Sequence, residues 1–286
     1  MDKKYLWELL SKINNRYGLG ALELCLASNW FNPFATIYLN LRSFPFTQAF
    51  KFPVWVYGQP RLYSLNGNML IEGKVKSGMI KFNKTNLAPN NMGVQSEIIN
   101  KGKIIFRGEC LIRTGNRWLI DDGKILTIGS NVRIGDMINI SCFSSVKIGN
   151  NTRIAHRSQI YDYNFHYIAD LNRRKVYPLG RPIIIGDNCW ICNTSSISAG
   201  AIIPDNTIVT SNSLVNKDFS AIEKNSIIGG IPAKLIKTGS ILINNKKIVS
   251  RLNTYFSTET DEPLTLIFQQ KLMNLIHYLI LFQLMN

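Results

Sequence analysis

Ile185, Ile191, Ile197, Ile203, Val209 and Val215 recur at a fixed step of six residues, and small, polar or turn-forming residues fill most of the gaps between them. A six-residue step matches neither the 3.6-residue helical period nor the two-residue alternation of a strand. It describes a repeat: a short strand with one inward aliphatic, a tight turn, then the same again. Three such hexads make one triangular coil, and coils stacked on one another bury their aliphatics as a continuous core.

A second pattern marks the corners. Ile148-Gly-Asn-Asn, Ile185-Gly-Asp-Asn and Ile203-Pro-Asp-Asn share an aliphatic followed by a turn, and Ile128-Gly-Ser-Asn and Ile222-Glu-Lys-Asn are looser versions. Gly and Asn suit such corners because both tolerate positive φ. The steps from 185 to 203 and from 203 to 222 are one coil each. The step from 148 to 185 is about twice as long, which predicts an inserted loop over residues 162–183. A loop leaving a rigid solenoid is where function concentrates.

These residues carry a resemblance. Residues 120–240 resemble the hexapeptide-repeat acyltransferases. Ile185-Gly-Asp-Asn-Cys-Trp-Ile-Cys192 is similar to the family's I-G-D-x-x-W-I-G run, and Gly229-Gly-Ile-Pro-Ala-Lys234 to its closing G-x-P-A-K signature. Cys192 departs from the usual Gly, and Thr210-Ser-Asn-Ser213 from the usual G-A-G-S. The resemblance implies an all-β solenoid folded as a left-handed parallel β-helix, a hand that the usual crossover rule disfavours.

Around this core, residues 1–64 read as an N-terminal helical and aromatic cap. Helices are expected within 1–30 and near 34–41, followed by the aromatic and proline-rich run from Phe44 to Tyr57. Those aromatics are expected to pack into the protein, with membrane contact as the alternative. Residues 65–240 form the β-helix. Gly78-Met-Ile, Gly102-Lys-Ile and Gly123-Lys-Ile read as one cassette repeated in its longer early coils. Residues 241–286 are a C-terminal extension, and 264–286 read as a helix apolar over most of its circumference, to be buried against protein.

The net charge of +15 is spread over the first 250 residues and forms no basic arm, so no nucleic-acid partner is expected. It suits an anionic donor, an acidic glycan, or peripheral contact with the inner face of a membrane. The five cysteines are odd in number and irregular in spacing, which argues against a disulfide framework and for the cytoplasm. Cys189-Trp-Ile-Cys192 has the spacing of a redox or zinc half-site, but it lies on a predicted strand with no second such pair, so it reads as wall packing. No secretory signal and no run long enough to span a bilayer is found.

The chemistry converges on the insert. Acyl transfer from a thioester to a sugar hydroxyl needs a base, and imidazole can take and return that proton near neutral pH. Of the three histidines, His156 occupies an outward hexad position, His277 lies in the tail, and His166 lies in the insert within Asp162-Tyr-Asn-Phe-His166. In the resembled family a loop histidine close after an aspartate is the base. His166 is therefore the expected base, with Asp162 or Asn164 holding its ring. Tyr161, Tyr163, Arg173 and Arg181 are candidates for acceptor binding. The resemblance also implies acetyl-CoA as donor, bound between protomers of a homotrimer near Trp190, Ser198, Gly200, Ala201, Ser211 and Ser213, with Lys234 at the nucleotide end.

The expected activity is acetyl transfer from acetyl-CoA to a hydroxyl of a cell-surface polysaccharide or its precursor, with no metal. N-acetylation of a nucleotide-linked amino sugar and a non-catalytic β-helix scaffold stay open as alternatives. A zinc site of three histidines is not readily supplied by this chain.

Overall fold

The structure, a computed structural model, describes residues 30–85, 94–257 and 264. It divides into two units, Met1–Ile241 and Leu242–Asn286. The helices expected within 1–29 and the body of the helix expected over 264–286 lie outside the described residues.

The first unit is the expected left-handed parallel β-helix. Three parallel sheets form its walls. The first contains β1 (Val54–Val56), β4 (Ile80–Phe82), β7 (Cys110–Ile112), β10 (Val132–Ile134), β13 (Arg153–Ile154), β18 (Trp190–Ile191), β21 (Ile208–Val209) and β23 (Ile227–Gly229), closed by an antiparallel β24 (Lys234–Lys237). The second runs from β2 (Arg61–Leu65) through β5 (Glu97–Asn100), β8 (Arg117–Ile120), β11 (Asn139–Cys142), β14 (Gln159–Tyr161) and β19 (Ser196–Ser198) to β22 (Leu214–Val215). The third runs from β3 (Asn68–Ile71) through β6 (Lys103–Phe106), β9 (Ile125–Ile128), β12 (Ser145–Ile148) and β17 (Ile183–Ile185) to β20 (Ile202–Ile203).

The hexad ladder is the inner wall. Ile185, Ile191, Ile197, Ile203, Val209 and Val215 are all buried, and each stacks in register on an aliphatic of the adjoining coil, as Ile154 does on Ile191 and Ile160 on Ile197. The five predicted corner asparagines, Asn131, Asn151, Asn188, Asn206 and Asn225, all have positive φ, between 54° and 62°. A second set of corners, at Met137, Arg157, Thr194 and Asn212, also has positive φ. The sequence hides these, because only Asn212 is a residue type that signals such a turn.

Two expectations about the early coils are corrected. The wall begins at Val54, upstream of residue 65, so part of the aromatic run is strand. The glycine cassettes are not equivalent either. Ile80 stands in the first sheet, whereas Ile104 pairs with Leu126 in the third. Coil lengths vary here, and a fixed spacing therefore does not return to a fixed face.

The cap works by polar contacts. Helix α1 (Pro33–Ser43), N-capped by the Asn32 side chain, covers the expected position 34–41. It lies against the free edge of β1, whose unpaired backbone groups would otherwise be open to another strand. Asn40 donates from Nδ2 to the Val54 carbonyl at 2.7 Å and accepts from the Val54 N–H at 3.1 Å. Thr36 Oγ1 accepts from the Val56 N–H at 3.0 Å. Leu39 and Phe44 are buried beneath it, but Phe34, Phe46 and Phe50 are 84%, 74% and 66% exposed. The expectation that the cap aromatics pack inward therefore holds for Phe44 and fails for these three. The inner face of α1 is used to satisfy strand β1, which leaves Phe34 on the other side; Phe46 and Phe50 belong to the next helical turn and stack on each other.

In the second unit, α3 (Lys246–Ser257) is a helix that the sequence reading lacked; the Asn245 side chain accepts from the Lys247 and Ile248 N–H groups at its start. The four-residue helix α2 (Phe46–Ala49) follows α1. Among the described residues no helix is long and apolar enough to cross a membrane.

Cys110, Cys142, Cys189 and Cys192 are free and buried. Cys189 and Cys192 are wall packing. Burial pushes the Cys142 and Cys189 thiols up to about 12 and raises Cys110 and Cys192 as well. A thiol held protonated is a poor nucleophile. These four cysteines should therefore resist iodoacetamide at pH 8 in the native protein and react after unfolding, as read by mass mapping of the modified peptides.

Candidate active site

The insert leaves the solenoid after β14 and returns at β17, at the corner between the second and third sheets. Its root is clamped by backbone bonds: the Asn164 N–H to Leu179 O at 2.8 Å and the Arg181 N–H to Asp162 O at 2.9 Å, with Tyr163 bridging Gly180. Its tip is a hairpin of β15 (Ala169–Asp170) and β16 (Lys175–Val176). Three rings brace its base. Phe143 stacks on Tyr163 at 5.2 Å, and Phe165 meets both edge-on at 5.3 and 5.6 Å. A side chain at position 180 would strike the Tyr163 ring at 2.9 Å, so Gly180 is needed for the close approach.

His166 is exposed and stands on a ridge between two clefts. One, of about 410 Å³, is lined by Asn164, His166, Arg173 and Arg181 together with Tyr177 and Leu179. The other, of about 540 Å³, is lined by Asn164 and His166 together with Tyr161, Tyr163, Gln159 and Asn139. Five other candidates from the sequence are thus gathered around the His166 imidazole. Phe143, Phe165, Gln159 and Asn139 were missed. Phe143 lies outside any motif, Phe165 stands within the Asp162–His166 run but carries no reactive group, and the two amides reach the site only through the register of β11 on β14.

Asp162 does not do what was expected of it. It is buried, and its two carboxylate oxygens accept the Phe143 N–H at 2.7 Å and the Ser144 N–H at 2.8 Å. Burial raises its pKa against the pull of these amides. Among the described residues no side chain hydrogen-bonds the His166 ring. Asp162 is therefore a positioning residue: it ties the root of the insert to the turn before β12. Asn164 is exposed beside His166 and lines both clefts.

The donor candidates fall into two sets. Gly200 donates its N–H to the Arg181 carbonyl, a side chain at position 200 would meet the Arg181 guanidinium at 3.0 Å, and Ser198 lies in register with Tyr161, so both adjoin the insert. Trp190 is elsewhere, 38% exposed on the outer face of the first sheet. Ser211 and Lys234 are exposed. Two candidates present no free polar group: Ala201 is buried with its N–H and C=O both paired, and the buried Ser213 hydroxyl accepts the Gly230 N–H and bonds Thr210. Among the described residues no group of three His, Cys, Asp or Glu side chains converges as a metal site.

Comparison with known proteins defines the class. No family model matches the chain. It is 29% identical to a putative lipopolysaccharide biosynthesis O-acetyl transferase of Escherichia coli K12, over 49% of this chain and 74% of that protein. It is 30% identical to a putative acetyltransferase of Saccharomyces cerevisiae, over 57% of this chain and 80% of that one. Among solved structures it resembles the polySia specific acetyltransferase NeuO, with a TM-score of 0.51 and 20% identity over 70% of this chain and 92% of that chain. The chain belongs to the hexapeptide-repeat acyltransferases.

Replacing Asp162 by Ala leaves two buried amides without an acceptor. Each such group costs about 1–3 kcal/mol. Asp162→Ala should lower the unfolding midpoint clearly, whereas His166→Ala, on an exposed ridge, should leave it within error; denaturant titration of both variants compares them.

Proposed function

We propose that this enzyme transfers an acetyl group from acetyl-CoA to a hydroxyl of a cell-surface polysaccharide or its precursor, with His166 as general base. The observation that carries the reading is the place of His166, the one histidine on the ridge where the two clefts meet. A donor in one cleft and an acceptor in the other would both reach its ring.

The chemistry needs no covalent enzyme intermediate. The imidazole takes the acceptor hydroxyl proton as that oxygen attacks the thioester carbonyl, forming the C–O bond. The tetrahedral intermediate collapses by breaking the C–S bond, and the imidazolium returns the proton to the departing thiolate. Arg173 and Arg181 supply cations in one cleft, although Arg173 also pairs with Asp170 at 3.7 Å. Tyr161 and Tyr163 offer ring faces and hydroxyls in the other. The polysaccharide class follows from the lipopolysaccharide relative. N-acetylation of a nucleotide-linked amino sugar would use the same base. An acetyl-CoA-dependent reaction on precursors belongs on the cytoplasmic side, with any membrane contact peripheral.

The donor site is shared between subunits in this reading. Trp190 lies on the first sheet while the insert leaves the corner of the second and third. A homotrimer that sets the first sheet of one protomer against the insert of the next would bring the two sets together. Light scattering should give a trimer; a stable, active monomer would rule the shared site out.

His166→Ala should cut turnover by about 10²–10⁴-fold, the usual contribution of a general base. Donor affinity should hardly change, because the base acts in the transition state. Steady-state kinetics with calorimetry of coenzyme A binding tests both halves. Near-normal turnover would remove His166 from the mechanism, and acetyl transfer to amino-sugar nucleotides alone would favour the N-acetyl reading.

A further inference from the structure

The outer face of the first sheet carries a single file of side chains, one per coil. In register they are Trp55, Lys81, Leu111, Arg133, Arg153 and Trp190. The inward neighbours, such as Val54, Ile80, Ile112, Ile134 and Ile154, are buried, so the file faces out. Adjacent parallel strands lie about 4.8 Å apart, so the file is about 24 Å long. It holds three cations set between two indoles, and beyond Trp190 the same register continues to the apolar Ile208 and Ile227.

These cations are not consumed internally. Among the described residues Lys81, Arg133 and Arg153 form no ion pair with a carboxylate; Arg153 donates only to the backbone carbonyls of Asn131 and Thr152. Lys84 and Arg113 flank the file at the next corner. The carboxylate acting on Arg113 is Asp136, whose Oδ1 accepts from the Thr114 N–H and hydroxyl. The indole of Trp55 is held in place. Its Nε1–H donates to Ser77 Oγ at 3.2 Å, Phe31 packs edge-on at 5.7 Å, and Gly78 leaves the room that a Cβ, 2.5 Å from the ring, would take.

We infer that this file is an extended binding track for an anionic polysaccharide. It rests on the polysaccharide reading above and narrows it to acidic acceptors. Cations at one-coil spacing meet carboxylates that recur along an extended glycan, whose sugar units advance by a similar step. The indole of Trp55, which is held in place, and that of Trp190, which is exposed, present flat apolar faces to pyranose rings. A single phosphate needs one or two cations, not a column. A membrane needs a broad plane of charge, whereas here the cations form a narrow column, flanked by Lys84 and Arg113 and followed beyond Trp190 by Ile208 and Ile227. The acceptor chain then runs along the solenoid axis from Trp190 towards Trp55, and its length is measured in coils.

The test is binding by calorimetry to the full chain without acetyl-CoA. The probes are an oligogalacturonate of about six units, free galacturonate, and a maltooligosaccharide of the same length. The expected order is tight, weak and weak, with salt weakening the first. Lys81→Gln with Arg133→Gln should weaken the long acidic probe by about tenfold or more, while Arg133→Lys should retain most of the affinity. Trp55→Ala should weaken the long probe and spare a trimer of galacturonate. Circular dichroism verifies that each variant is folded. Equal binding of the neutral oligomer, equal binding of the free acid, or no effect of the double variant would each overturn the track. So would a change of oligomeric mass in the double variant without a change in binding, or a ladder-dependent preference for phosphatidylglycerol vesicles over the acidic oligomer. Acetyl transfer and its loss in His166→Ala are measured separately, so the track can fail while the catalytic reading stands.

Discussion

Everything in this protein hangs on coil-to-coil register. The strands are two to five residues long, too short to be stable alone. Each survives because its inner aliphatic sits on another in the coil below, as Ile134 sits on Ile112 and Ile154 on Ile134. The stack demands that each coil return its aliphatic to the same face, which is why the corner asparagines adopt positive φ at one place after another. Buried side-chain hydrogen bonds do the same at the early corners. Ser96 joins Asn83 to Asn116, and Asn116 reaches on to the Gly135 carbonyl.

A solenoid built this way can accept extra chain only where the coil closes again behind it. The insert after β14 meets that condition. Ile160 and Ile183 keep their places in the core on either side, and the 162–182 excursion adds nothing to it. It is therefore free to carry chemistry, provided its root is rigid. Asp162 supplies the rigidity by spending a buried carboxylate on two amides of the preceding coil. A loop that floated would not hold an imidazole between two clefts.

The hexad ladder, the asparagine corners and the place of the insert that carries His166 were legible in the sequence, because each depends on local spacing. What was not legible depends on register across coils. Asp162 looked like a partner for His166, four residues away. Its real partners are Phe143 and Ser144, one coil back. The glycine cassettes read as one repeated motif, yet the first falls on the first sheet and the other two on the third. The aromatic cap looked like core, yet Thr36 and Asn40 turn α1 so that its polar residues serve β1 and its rings point out. Gln159 and Asn139 enter the cleft only because β11 and β14 align.

The same register that stacks aliphatics inside also stacks whatever lies outside, and there it has an electrostatic cost. Arg133 and Arg153 are direct neighbours across β10 and β13. Two like charges about 5 Å apart repel by roughly 0.8 kcal/mol in a fully aqueous dielectric, and by more beside a protein wall. Burial and the Arg133 charge together depress the Arg153 guanidinium to about 10. Glu97 shows that the fold readily accommodates the opposite choice. On the second sheet it stands between Arg61 and Arg117 and pairs with both. An acid at position 111, between Lys81 and Arg133, would relieve the first sheet in the same way, yet Leu111 stands there. A repulsive file left uncompensated on a scaffold that can compensate it is stabilised when something anionic lies along it.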